Sequence, residues 1–341
     1  MTLKTTILIA TIAALTLVMP ASLSAQTAAT DNTPKFHATL RTRAELSTET
    51  GEYRFQVRNA RAVLSGNVGP SVSYFINTDL CDAGKMKILD AWAKLKIAKG
   101  LYVQGGQFRM CFGVDPFVAP HQYYFSDRSF IGKQMCNYRR VGAKVDYNIP
   151  TLPLTLEAGI FNPTSIADHN GWNKRLDAAG RLLFTPGAWI FSTGVMTLSP
   201  HGHRANLTGL CIGYNPGSFI IEAEYMLKHY THSPLRDAHA YQIFASKTFP
   251  VKWGMFNTFA IHGRFDGLTD HSNSELNDNN QQYISDPARN RITAGVTLSY
   301  IKTKNLYADL RLDYEKYFYH SGTKVTATMG DKAVVELILR F

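Results

Sequence analysis

The chain is 341 residues long, 45% hydrophobic and 12% aromatic, with a formal net charge of +10 at pH 7. That basic balance fits anionic ligands, nucleic acid or an acidic surface, yet neither a Gly-rich phosphate loop nor a helical basic stripe accompanies it. The four cysteines, Cys81, Cys111, Cys136 and Cys211, have no CxxC spacing, which argues against zinc and redox chemistry.

The N-terminus reads as an export signal. Lys4 precedes a mostly apolar run, Ile7 to Met19, and then the small-residue stretch Ala21-Ser22-Leu23-Ser24-Ala25, so residues 1–25 are expected to be removed by cleavage near Ala25. The run is too short to cross a bilayer, and no later apolar run reaches the roughly 18 residues that a transmembrane helix needs. Export removes nucleic acid from the expected partners. Residues 26–35 are polar and read as a loose leader to a domain spanning 36–341.

From Phe36 the sequence alternates with period two. Phe36, Ala38, Leu40, Ala44 and Leu46 fall on one side, with His37, Thr39, Arg41, Arg43 and Glu45 on the other. In the second segment Tyr53, Phe55 and Val57 oppose Arg54, Gln56 and Arg58; Arg61 is out of phase, which places a bulge there. Asn67-Val68-Gly69-Pro70 turns into a third segment, Val72 to Leu80. A fourth, Lys87 to Ile97, sets Leu89, Ala91, Ala93, Leu95 and Ile97 against Asp90, Trp92, Lys94 and Lys96, and Lys99-Gly100 leads into a fifth, Leu101 to Met110.

The pattern then breaks over Cys111 to Asn137. This stretch carries Pro116 and Pro120 and mixes Tyr123, Tyr124, Phe125 and Phe130 with Asp127, Arg128 and Lys133. Loops beyond about 12–15 residues are functional or disordered, and disordered chain is poor in aromatics. The expectation is a loop folded into a barrel lumen, where it narrows a pore. Cys111 and Cys136 flank it, either paired in an oxidising compartment or as free buried thiols.

Alternation resumes at Tyr138 to Asn148, with Val141, Ala143, Val145 and Tyr147 opposite Arg140, Lys144 and Asp146. Further segments follow to Lys332 to Phe341, separated by tight turns such as Asn215-Pro216-Gly217 and by longer polar loops such as Asp266 to Asp286. The total is about sixteen, with short turns at one rim and longer loops at the other. That asymmetry belongs to transmembrane antiparallel β-barrels. In hydrocarbon every backbone N–H and C=O needs a partner, so a sheet there must close on itself. A basic side chain at the lipid midplane costs about 2–4 kcal/mol, so the basic rows are expected inside and their apolar neighbours against outer-membrane lipid.

Three blocks carry a resemblance: Phe55-Gln56-Val57-Arg58-Asn59-Ala60-Arg61, Lys87-Ile88-Leu89-Asp90-Ala91-Trp92, and His121-Gln122-Tyr123 with Arg128-Ser129-Phe130-Ile131-Gly132-Lys133-Gln134. Over roughly Phe36 to Tyr147 the chain resembles the phosphate-selective porin O/P family of Bacteroidota, and the terminal Phe341 is similar to the assembly signal of outer-membrane barrels. The resemblance implies a sixteen-stranded homotrimeric porin whose third long loop forms the constriction. It also implies arginines and lysines along the path: Arg54, Arg58, Arg61, Arg128 and Lys133 first, then Arg41, Arg43, Lys94, Lys96, Arg109, Arg140 and Lys144. The loop lacks a dense lysine cluster, and carboxylates (Glu222, Glu224, Asp309, Asp313, Glu315) accompany the later strands. The expected solutes are therefore small anions, phosphate among them.

Each basic residue has a second reading, in which it pairs with Asp79, Asp90, Asp127 or Asp146 to brace the wall. Tyr123, Tyr124 and Phe125 are expected to pack the loop against that wall. His201 and His203 are expected to be solvated and not to hold a metal. No nucleophile and base stand together in the sequence, so neither catalysis nor a cofactor is expected.

Overall fold

The computed structural model describes residues 31–82, 84–168, 171–231, 233–279, 281–319 and 327–341. The expected export signal and residues 26–30 of the leader lie outside the described residues. The strands are β1 Lys35–Ser47, β2 Tyr53–Val68, β3 Val72–Asp82, β4 Lys85–Ala98, β5 Leu101–Arg109 and β6 Arg139–Asn148. They continue with β7 Leu154–Phe161, β8 Asp177–Phe184, β9 Trp189–Leu198, β10 Arg204–Tyr214 and β11 Phe219–Thr231. The last five are β12 Ala238–Trp253, β13 Phe256–Leu268, β14 Arg289–Thr303, β15 Leu306–Tyr319 and β16 Lys332–Arg340.

Each strand pairs antiparallel with the next, and β1 pairs with β16 to close the barrel. The seam is in register from Thr39 opposite Arg340 to Ser47 opposite Lys332, and Ala38 and Phe341 exchange two backbone hydrogen bonds beyond it (2.6 and 3.1 Å). Connections at one rim stay short, from 99–100 to 149–153, while the other rim carries 110–138, 162–176 and 269–288. The sixteen-strand expectation is met.

The two faces separate as the alternation requires. Phe55 is 82% exposed and Val57 51%, while Asn59 on the opposite face is 6% exposed. Two bulges shift the expected phases. The extra residue in β2 is Arg58 and not Arg61: Arg41 pairs with Asn59 and Thr42 with Val57, leaving Arg58 unopposed. An insertion anywhere between Gln56 and Arg61 restores the parity equally well, so the pattern alone does not locate it. In β4, Asn77 pairs with Asp90 and Thr78 with Ile88, so Leu89 is the bulged residue; it is buried, not on the outer face, and Ile88 is exposed.

Over β9 to β12 the expected polar interior is interrupted, although Glu222, Glu224, Lys228 and Gln242 remain on it. Met196, Leu198, Ala205, Leu207, Met226 and Ala240 point inward into an apolar cluster shared with Met110, Cys111 and Phe112. In β10 the outer face carries the polar residue, Asn206, whose amide is satisfied by Thr197 (2.9 Å) and Thr231 (3.0 Å).

Candidate functional site

After Arg109 the chain leaves the wall. The neck closes by a bond from Met110 N to Tyr138 O (3.1 Å), and Met110, Cys111 and Phe112 bury themselves in the apolar cluster. Gly113 turns with φ +75, a region that favours glycine, and its carbonyl accepts from Arg181 (2.7 Å). The next two amides, of Val114 and Asp115, donate to Glu224 of β11 (2.8 and 3.3 Å). Asp115 in turn accepts from Ser129 Oγ (2.7 Å), which ties the two limbs of the segment together.

An irregular segment has no ladder to satisfy its backbone, so side chains must do so. Arginines from β1, β13, β14 and β15 take the carbonyls. Arg311 donates to Tyr123 O and Phe125 O (the latter 3.0 Å), Arg41 to Ser126 O (2.9 Å), Arg264 to Asp127 O (2.9 Å) and Arg291 to Arg128 O (2.8 Å). Carboxylates take the amides: Ser126 N donates to Asp313 (2.6 Å) and Phe130 N to Asp266 (3.1 Å). The Asp127 carboxylate lies between Arg43 (2.8 Å) and Lys332 (2.6 Å). Burial acts to raise its pKa, but Lys332 and Arg43 outweigh burial and hold it well below the usual range.

Tyr124 and Phe125 lie against Phe244, with ring centroids 5.4 and 5.9 Å away. Phe130 lies beneath the guanidinium groups of Arg289 and Arg291 (4.5 and 4.6 Å), and Tyr123 beneath that of Arg128 (4.6 Å). His121 is pushed down to about 3 by burial, with Arg340 and Arg61 adding to the effect, so its ring is neutral.

Among the predicted basic residues, seven carry carboxylate partners. Arg41 meets Glu336 (2.6 Å), Arg43 meets Glu45 (2.8 Å) as well as Asp127, Arg54 meets Glu45, and Arg61 meets Asp79 (3.2 Å). Lys94 meets Asp146 (2.8 Å), Arg140 meets Asp177 (3.8 Å), and Lys144 bridges Asp146 and Glu157 (2.8 and 2.7 Å). The geometry at these positions is that of wall bracing.

Among the described residues, Arg58, Lys96, Arg109, Arg128 and Lys133 have no carboxylate within 4 Å. Four of them converge. Arg58, Arg109, Arg128 and Lys133 line a cavity of about 820 Å³, with Arg41, Arg61, Lys87, Arg139 and Arg140 against only Asp79, Asp82 and Asp127. Lys96 stands apart, exposed near the short-turn end of β4.

The sequence reading missed Arg139, which holds Asp90 through two nitrogens (2.9 and 3.3 Å), and the loop-holding set Arg264, Arg291, Arg311 and Lys332. The signal was present: they stand on the same face as the carboxylates Asp266, Asp313 and Glu315. All four cysteines are free. Cys111 Sγ donates to Ala179 O (3.3 Å) and Cys136 Sγ to Ile131 O (3.2 Å), so the paired alternative falls. His203 meets Ser233 (3.0 Å), and no set of three or more His, Cys, Asp or Glu with the geometry to hold a metal occurs among the described residues.

No family model matches the sequence, and no curated protein matches it. Solved structures do. An anion-selective porin from Comamonas acidovorans superposes with a TM-score of 0.62 at 12% identity, covering 91% of this chain and 99% of that one. The barrel is the one that porins share. The outer-membrane channel DcaP of Acinetobacter baumannii gives 0.61 at 13% identity, covering 90% and 97%. The trimer form of OmpT from Vibrio cholerae gives 0.58 at 13%, covering 91% and 99%. At such identities the likeness is one of fold.

Proposed function

We propose that the chain is an outer-membrane porin, passing small solutes passively with a bias toward anions, and that Cys111 to Asn137 narrows its path. One observation carries the reading: a closed barrel with an apolar outer face encloses a cavity lined by nine basic and three acidic side chains. Closure satisfies every strand in hydrocarbon. Exposed aromatics stand toward both rims, with Trp189 and Trp253 at one and Tyr53 and Phe318 at the other, as the two interfacial girdles of such barrels do.

Lumenal Arg and Lys attract anions and repel cations, and guanidinium forks suit phosphate oxygens. Arg58, Arg109, Arg128 and Lys133 are the residues assigned to the solute, because the other cations of that cavity, Arg41, Arg61, Lys87, Arg139 and Arg140, each meet a carboxylate. The residue blocks similar to the phosphate-selective porins put phosphate among the solutes, and the described anion selectivity of the Comamonas protein supports the sign. The OmpT trimer supports a homotrimer. Passive diffusion calls for neither a cofactor nor a chemical step.

The second reading is a structural or adhesive barrel with a plugged lumen. It is favoured by the apolar cluster in which Met110 and Phe112 fill ground beside Met196, Leu207 and Met226. Planar-bilayer recording in a salt gradient separates the two. Discrete channels whose reversal potential has the anion sign are expected; silence rejects the porin, and the cation sign rejects its bias.

A further inference from the structure

A second cavity, of about 290 Å³, shares Tyr123, Asp127 and Arg128 with the cationic one but has a different character. Tyr124, Phe125, Phe244, Ile190 and Ile220 form its apolar wall, and three acids, Glu222, Asp115 and Asp127, stand on it against two cations, Arg128 and Arg264, the second of which already lies over the Phe125 ring (4.5 Å). Glu222 lies on β11 between Gly213 of β10 and Phe244 of β12. It is 6% exposed.

The neighbouring acids are occupied. Glu224 accepts from the amides of Val114 and Asp115 and from Gln242 (3.3 Å), and Asp115 accepts from Ser129. Glu222 alone has no hydrogen-bond donor and no cation within 4 Å among the described residues. A buried carboxylate left without a partner is costly, so this one is built for a partner that arrives from outside. Aromatic faces beside it attract the same charge that it does. A bare metal ion does not fit, because no set of three or more His, Cys, Asp or Glu able to hold one occurs among the described residues.

We propose that this cavity binds an organic ammonium ion carrying an aliphatic or aromatic group, with the nitrogen on Glu222 and the apolar part among Tyr124, Phe125 and Phe244. The site goes beyond the porin reading and is tested without conduction, so either can fail while the other stands.

The test is calorimetric titration of the full chain in detergent at pH 7.5 with 2-phenylethylammonium, and with 2-phenylethanol as the uncharged analogue. Saturable binding of the amine and none of the alcohol is expected. Glu222→Gln should weaken amine binding at least tenfold, Glu222→Asp should retain part of it, and Lys96→Gln, at an exposed residue that lines neither cavity, should leave it unchanged. Phe244→Ala, expected to weaken it several-fold, supplies a second readout should Glu222→Gln not assemble. No heat from the unsubstituted protein, equal binding of the alcohol, or undiminished binding by both Glu222→Gln and Phe244→Ala overturns the assignment.

Discussion

Reversing Arg58 to glutamate isolates the part of the proposed anion bias that comes from charge not neutralised by a wall carboxylate. Arg58 lines the cationic cavity as the bulged residue of β2. A sphere of 820 Å³ has a radius of about 6 Å, which sets the distance from a lining charge to a solute at the centre. Across that distance in water a unit charge is worth about 0.7 kcal/mol, and screening in roughly 0.1 M salt leaves about 0.4 kcal/mol. Arg58→Glu changes the charge by two, so an anion at the centre loses about 0.8 kcal/mol and a cation gains the same. Each shift is roughly fourfold, and the anion-to-cation permeability ratio falls roughly fifteenfold. The reversal potential in a KCl gradient reads that ratio. Arg61 is the comparison: it is paired with Asp79, and Arg61→Glu would face one acid with another, costing the barrel about 3–5 kcal/mol. An unchanged reversal potential in assembled Arg58→Glu channels refutes the reasoning.

Three other outcomes follow from the same geometry. Asp127→Asn removes the charge that Arg43 and Lys332 share, costing about 3 kcal/mol of local anchoring; noisier open-channel current and faster proteolysis within 110–138 are expected, and a quiet, resistant variant would contradict it. Gly106 in β5 has φ +130, and a Cβ there would lie 2.2 Å from Ala91 O, so Gly106→Ala should prevent the heat-stable barrel band from forming on electrophoresis. His271 is held below its ordinary 6.5 by burial and Lys228, against the raising effect of Asp286, with Arg289 close by. Lys228 Nζ lies 3.3 Å from its Nε2 and Asp286 3.2 Å from its Nδ1. A depressed histidine contributes docking stability that is complete above about pH 6.5 and lost as pH falls toward the folded value. Hydrogen exchange across 269–288, corrected for intrinsic rates, should therefore lose protection between pH 7.5 and 5 in the unsubstituted protein but not in His271→Gln; protection independent of pH would refute the link.

The barrel was legible because an apolar and an aqueous surface impose opposite demands on alternate residues, and β1, β2 and β16 obey them outside the bulge except at Thr42 on the outer row and Val63, Val334 and Ile338 on the inner one. The bulges were not located, since Arg58 and Arg61 satisfy the same parity. The polarity rule gave no warning of β9 to β12. Their inner faces pack against Met110 and Phe112, which are far away in sequence, so Leu207 and Met226 have an apolar partner that local pattern cannot reveal. The central segment announced itself through its aromatics and prolines. Its fastening did not, because Arg264, Arg291 and Arg311 bind backbone carbonyls 137 to 188 residues away, and a carbonyl carries no sequence signature.

The account depends on oil outside the barrel and water inside it, and spin labels measure that directly. Labels placed singly by cysteine substitution at Val57 and at Asn59, in a background with the four native cysteines replaced by alanine, report collision with lipid-soluble oxygen and with a water-soluble nickel chelate. In reconstituted bilayers the label at 57 should favour oxygen and the label at 59 the chelate; the opposite order, or equal values at both positions, would contradict the account.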